Sequence, residues 1–271
     1  MEESGHWYNR DGSPCYEVRG NNGKMRAFNL RWDRGLGAVP SVTTVLKIID
    51  KPALTNWLVD QGIMAALTLP RVDGEPEDAY IARVRDDSKQ QAIKAAQEGT
   101  RIHDAIEHYW KTGGYVDGYE LHTQAAVARI RELFPNVNDW VAEVSFAHPL
   151  GFGGKVDLHS PSTGIVVDYK GKDGDFTDGK RLAYDQHWQL AAYQVGLGLA
   201  AKCFLQSDSN PELDAEWYDG FHPCANIFVS RTHPGYAVSH GWSSEEIRSA
   251  WKIFSATLFL WKLLKNYDGS F

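Results

Sequence analysis

Residues 164–170 read Gly-Ile-Val-Val-Asp-Tyr-Lys, and this segment restricts the fold more than any other. Three consecutive branched apolar residues, Ile165-Val166-Val167, suit a strand covered on both faces, which places it inside a sheet rather than at an edge. Charges at the end of such a strand have to be solvated, paired or metal-bound. Asp168 and Lys170 are spaced by two, so on a strand they project from the same face.

The hydrophobic pattern changes period near residue 140. Trp140 to Ala147 alternates like a strand, with Val141, Val144 and Phe146 around Glu143. Gly153 to His159 is a second strand, separated from the third (Gly164 to Lys170) by the turn Ser160-Pro161-Ser162-Thr163. Leu182 to Leu199 is apolar nearly all round and reads as a buried helix. A polar stretch, Gln206 to Pro223, precedes strands at Asn226–Ser230 and Tyr236–Gly241. Ser243-Ser244-Glu245-Glu246 is a capping-box-like start for a helix to about Lys265.

Before residue 140 the period is helical. Ser41 caps a short helix with a Val42, Val45, Leu46, Ile49 stripe, and Pro52 opens a second through about Leu69. Glu77 to Trp110 reads as helix interrupted or bent at Gly99, and His122 to Phe134 as another. The expected fold class is α/β: a central mixed sheet flanked by helices, with an N-terminal helical elaboration. Three parts follow: a basic, aromatic N-terminal extension (1–40), a helical lead (41–135) and a core (136–271), with 41–271 forming one compact domain. Trp57, Trp251, Phe254, Phe259 and Trp261 are expected in the core.

Composition narrows the classes further. Cys15, Cys203 and Cys224 lie far apart with no Cys-x-x-Cys, so no disulfide framework and no iron–sulfur cluster are expected, and the chain reads as intracellular. The longest uncharged run, Trp188 to Ala201, carries Gln189 and Gln194 and is too short to span a bilayer, so a soluble protein without membrane association is expected. Met1-Glu2-Glu3-Ser4 shows no basic export or transit signal. A net charge of −7 argues against a generic polyanion coat but leaves room for a nucleic-acid enzyme with a locally positive groove. The most basic stretch runs from Arg10 to Arg34, with Trp7, Tyr8, Phe28 and Trp32 in or beside it. These rings either stack on bases of a single strand or pack a small sheet.

Asp157 closes the second strand and Asp168-Tyr169-Lys170 the third. Adjacent strands lie about 4.8 Å apart, so the two carboxylates could share a divalent ion. Hard oxygen ligands suit Mg²⁺ or Mn²⁺, and a neighbouring lysine can position or deprotonate a water or hold a phosphate oxygen. The combination suits metal-assisted hydrolysis of a phosphodiester. The alternative for the same residues is a surface ion pair at strand ends.

Five elements in order, Gly99-x-x-x-His103, Glu143, Gly154-x-x-Asp157, Asp168-x-Lys170 and Gln189-x-x-x-Tyr193, resemble the PD-(D/E)XK nuclease superfamily. The likeness is to its RecB-type branch, which includes phage and mitochondrial genome-maintenance exonucleases, and covers about residues 40–265. The resemblance implies a restriction-endonuclease-like core. It also implies His103, Asp157, Asp168 and the backbone carbonyl of Tyr169 as metal ligands, and Lys170 orienting the attacking water. Gln189 and Tyr193 would support the site or the substrate backbone, with Glu143 at its edge. Gly171 departs from the pattern, since relatives often carry Thr there, and would loosen the local turn. On a helical wheel His103 and Glu107 share one margin of an apolar stripe. His103 there is either a ligand or a satisfied boundary residue, and Glu107 either supports the site or pairs with His103. Gln189 and Tyr193 share a face with Ala192 and Gly196, whose small size lets the helix approach the sheet. Arg231, just after a strand, faces either phosphate or solvent.

The resulting expectation is a metal-dependent DNA exonuclease acting at strand ends or on single strands, in phage or cellular DNA processing or recombination. Its rivals are an endonuclease of the same superfamily and a DNA-binding or recombination scaffold that does no chemistry.

Overall fold

The computed structural model describes residues 5–177, 179, 182–202 and 218–271. Cys203 and the polar stretch from Gln206 as far as residue 217 lie outside the described residues.

Glycine-rich turns cut the start of the chain into short pieces: β1 (Trp7–Tyr8), β2 (Glu17–Arg19), β3 (Met25–Ala27), α1 (Leu30–Asp33) and β4 (Val39–Pro40). β1 pairs with β4 and β2 with β3, both antiparallel. This region shares the main core: Trp7 stacks on Phe28 at 4.5 Å and also meets Trp261 and Tyr267.

α2 (Val42–Leu46) begins where Ser41 Oγ accepts the Thr44 N–H at 3.0 Å. α3 (Pro52–Thr68) packs on α4 (Glu77–Thr112) and leaves Leu54, Leu58, Val59, Ile63, Met64 and Leu67 exposed, with Trp57 half-buried rather than in the core. α4 runs unbroken through Gly99, so of the two expectations there, an interruption or a bend, the interruption does not occur. A helical glycine costs about 1 kcal/mol relative to alanine, too little to break a 36-residue helix anchored by buried Ile102, Ala105 and Ile106. Gly113, with φ 77°, ends it.

α5 (Glu120–Leu133), β5 (Val141–His148), β6 (Phe152–His159), β7 (Val166–Lys172) and α6 (His187–Gly196) follow. Then come β8 (Ala201–Lys202), β9 (Tyr218–Asp219), β10 (Cys224–Ser230), β11 (Ala237–Trp242) and α7 (Ser244–Lys265). α6 is shorter than its apolar pattern predicts. The Tyr184 N–H donates to Gln186 Oε1 at 2.7 Å, closing a local turn where the first helical turns would be. α7 starts at the expected capping box, Ser243 with Glu246.

The molecule is a mixed α/β architecture around a five-stranded sheet ordered β11-β10-β7-β6-β5. β7 and β10 are parallel and the other neighbours antiparallel. Every residue of β10 is buried, as a central strand demands. α4 and α5 cover one face through Ile102, Ile106, Ala126 and Ile130, meeting Val167, Tyr169 and Ile227. α2, α6 and α7 cover the other through Leu190, Trp251 and Phe254, meeting Phe152, Val166 and Phe228. Among the described residues no helix is long and apolar enough to cross a membrane.

α6 lies close on the sheet because Gly196 faces the Phe146 ring: a Cβ there would sit 2.0 Å from Phe146 Cε2. Gly196→Ala should therefore destabilise the fold by about 1–3 kcal/mol through overpacking, read from urea denaturation midpoints. His122 on α5 is 4 % exposed, and among the described residues neither ring nitrogen has a hydrogen-bond partner. Burial lowers its pKa below 6.5, against an opposing pull from Glu98. The unfolded chain then binds a proton that the folded chain refuses as pH falls below 6.5, so stability drops there. Denaturation at about pH 7 and pH 5 should show a smaller acid loss in His122→Leu than in the parent.

Candidate active site

The sheet parts at one place. β6 and β7 pair only at Leu158↔Val167 and His159↔Val166, and beyond that point their ladder stops. Asp157 fills the opening: its Oδ2 accepts the Tyr169 N–H at 2.8 Å, so a side chain replaces the missing strand-to-strand bond. On the other side of β6 the pairing with β5 also skips one position. Ala142↔Leu158 and Val144↔Val156 pair, while Glu143, between them, has φ 61°. A non-glycine residue in this region carries strain of about 1–3 kcal/mol. The consequence is a change of face. Val156 belongs to the α6–α7 side and Leu158 to the α4–α5 side, although residues two apart on a regular strand share a face.

Asp157 therefore sits at the seam of both layers. From the α4 side His103 Nδ1 approaches its Oδ2 at 3.5 Å, with the His103 ring edge-on to Tyr169 at 5.6 Å. From the α6 side come Asp168 and Lys170, which share a face as their spacing predicts. Lys170 Nζ lies 2.9 Å and 2.8 Å from the two Asp168 oxygens, and 3.2 Å from Gln189 Oε1. Gln189 Nε2 donates to Asp168 Oδ1 at 3.0 Å and lies 2.7 Å from Tyr193 Oη. Glu143 turns to an ion pair with Lys155.

Electrostatics follow from burial. Asp168 is 2 % exposed, and loss of water raises its carboxyl above the ordinary value, with the Asp157 charge adding and Lys170 opposing. Burial works against the Lys170 ammonium, yet Asp168 and Asp157 outweigh it and hold its pKa above the ordinary value. Burial likewise raises Tyr169 and Tyr193, so both stay neutral hydrogen-bonding groups; Trp110 Nε1 donates to Tyr169 Oη at 3.0 Å.

Two of the sequence candidates have other partners. Glu107 pairs with Lys111, one turn along α4. Arg231 donates to Asp173 at 2.9 Å and to the Ala95 carbonyl at 3.0 Å, clasping the ends of β7 and β10 to α4. Gly171 lies within β7 opposite Val229 rather than in a loosened turn, and its missing Cβ leaves room for Arg231 Cδ and the α4 backbone at Gly99.

Sequence reasoning missed Asn226. It stands opposite Asp168 in the parallel β7–β10 register, donates to Asp168 Oδ2 at 2.7 Å, and accepts from Trp242 Nε1 at 2.8 Å. The available signal was a polar amide inside the otherwise apolar run Ile227-Phe228-Val229 and its approach.

The side chains at the opening are two carboxylates and an imidazole, donor types that suit a hard divalent ion. Among the described residues, though, no three His, Cys, Asp or Glu side chains stand close enough together to hold a metal as they are. Asn226→Leu removes the amide that links Asp168 to Trp242 and leaves two buried groups short of a partner. It should cost about 2–4 kcal/mol, measurable as a lowered denaturation midpoint. No protein-family model matches the chain, and no curated protein matches it either.

Proposed function

We propose that the chain is a metal-dependent deoxyribonuclease of the PD-(D/E)XK kind, from its RecB-type branch, and that it works on DNA ends. The observation that carries the reading is the placement of Asp157, Asp168 and Lys170 around the opening between β6 and β7, with Gln189 tying Lys170, Asp168 and Tyr193 together. A solvent-exposed ion pair at strand ends would need none of that framework, and Asp168 is 2 % exposed.

In this reading Asp157, Asp168, His103 and the Tyr169 carbonyl would hold Mg²⁺ or Mn²⁺. When bound, such an ion would supply Lewis-acid charge for a phosphoryl oxygen and for the attacking water. Lys170 Nζ, a donor to Asp168 and Gln189, orients the attacking water and holds a phosphoryl oxygen. Asn226 and Gln189 fix the Asp168 carboxylate so that it does not reorganise during the reaction. Tyr169 packs edge-on to His103 and holds that ring beside Asp157. Glu143, held by Lys155, sits at the rim.

The preference for ends rests on the family resemblance, and the α3–α4 helices, which meet the site's rim at two places, are the elements that would arch over a strand end. Lys51, at the start of α3, lies 3.7 Å from Asp185 just before α6, and α4 delivers His103. The test is cleavage of end-labelled linear and circular DNA, single- and double-stranded, with Mg²⁺, Mn²⁺ or chelator. Linear DNA should be degraded from an end only with metal. Lys170→Ala and Asp168→Asn should each slow cleavage by roughly 100-fold or more. Cutting of closed circles would favour the endonuclease rival. Binding without cleavage under either metal would favour the silent scaffold.

A further inference from the structure

The basic N-terminal region carries five aromatic side chains: Trp7, Tyr8 and Phe28 are buried, and Tyr16 is half-buried with its hydroxyl 2.9 Å from that of Tyr8. Trp32 is 63 % exposed. Its ring is not loose on the surface, because the Arg26 guanidinium lies 5.6 Å from its centroid. Arg26 is fixed in turn by a two-pronged pair with Asp33, Nη1 to Oδ2 and Nη2 to Oδ1, both at 2.7 Å. Asp33 is 7 % exposed and also accepts the Asn29 N–H at 2.8 Å. A buried carboxylate thus positions an arginine, and the arginine supports an indole that is otherwise open to solvent.

The surroundings are positive. Between residues 17 and 34, Arg19, Lys24 and Arg31 are exposed cations, and Glu17 is the one exposed carboxylate, since Asp33 is neutralised by Arg26. This occurs in a chain of net charge −7, so the local sign runs against the whole. The ligand chemistry that answers both features is a polyanion presenting flat aromatic faces. An acidic peptide has the charge without repeated rings, a sugar has the stacking without the charge, and a duplex hides its base faces.

We propose that Trp32, braced by Arg26, is a base-stacking platform for single-stranded nucleic acid. The inference goes beyond the nuclease reading, because a chain that held a strand without cutting it would use the same surface.

The experiment is fluorescence-anisotropy titration of the full chain with a labelled dT oligonucleotide in chelator, so that cleavage cannot intervene. Trp32→Ala should weaken binding about tenfold and Trp32→Phe should stay close to the parent, because stacking needs a ring. Lys24→Gln should reduce the slope of log affinity against log salt by about 0.7. Thermal melts of the Trp32 variants should match the parent, since the side chain is outside the core. Absence of oligonucleotide binding, equal affinity for Trp32→Ala, or a Phe variant as weak as Ala would each overturn the proposal. A parallel cleavage assay with Lys170→Ala separates the two readings. Trp32-dependent binding with no cleavage by the parent sinks the nuclease alone, and metal-dependent cleavage with affinity indifferent to Trp32 sinks the platform alone.

Discussion

A carboxylate at the centre of a sheet is the constraint on which the rest depends. Asp168 lies on the strand next to fully buried β10, in surroundings that penalise its charge. Left alone there it would cost several kcal/mol. Lys170 comes from the same strand, Gln189 from α6 and Asn226 from β10, so three elements are committed to satisfying one side chain. Trp242 on β11 holds Asn226, which extends the network to the sheet's edge. Such a network specifies one arrangement, because each member loses its partner if an element shifts.

The second device is the parting of β6 and β7. A continuous ladder would keep the two helical layers apart and leave His103 and Lys170 on opposite sides of a closed sheet. The strained backbone at Glu143 and the change of face at Asp157 open the sheet by one side chain's width. His103 from one layer then reaches Asp157, whose charge acts on Asp168 and Lys170 on the other side. The strain is stored where the two layers meet and not in the surrounding scaffold.

Local chemistry was legible in the sequence wherever it was decided locally. The Ser41 and Ser243 caps, the shared face of Asp168 and Lys170, and the close approach of Gly196 all follow from spacing and side-chain type. What escaped was decided by partners distant along the chain. Gly99 looked like a break because its cost is visible in sequence, while the packing that outweighs it is not. Trp57 looked like core, but α3 buries little beyond its contact with α4. Asn226 stands out in sequence as a polar amide in an apolar run, but its partner depends on the parallel register that sets it opposite Asp168. Arg231 could be placed after a strand but not against α4. Trp32 could not be told from Trp7, Tyr8 and Phe28 in sequence until packing buried those three.

The joining of the first forty residues to α7 bears on how the chain comes to be folded. Tyr267 Oη donates to the Ala38 carbonyl across 229 positions, and Arg34 donates to the carbonyls of Lys265 and Asn266. Trp7 and Phe28 therefore have no finished seat until α7 has been synthesised. Contacts of such sequence separation are slow to form, since loop closure precedes any gain from them. On the ribosome this aromatic segment emerges before the sheet and α7, so its rings lack their final partners while those elements are made.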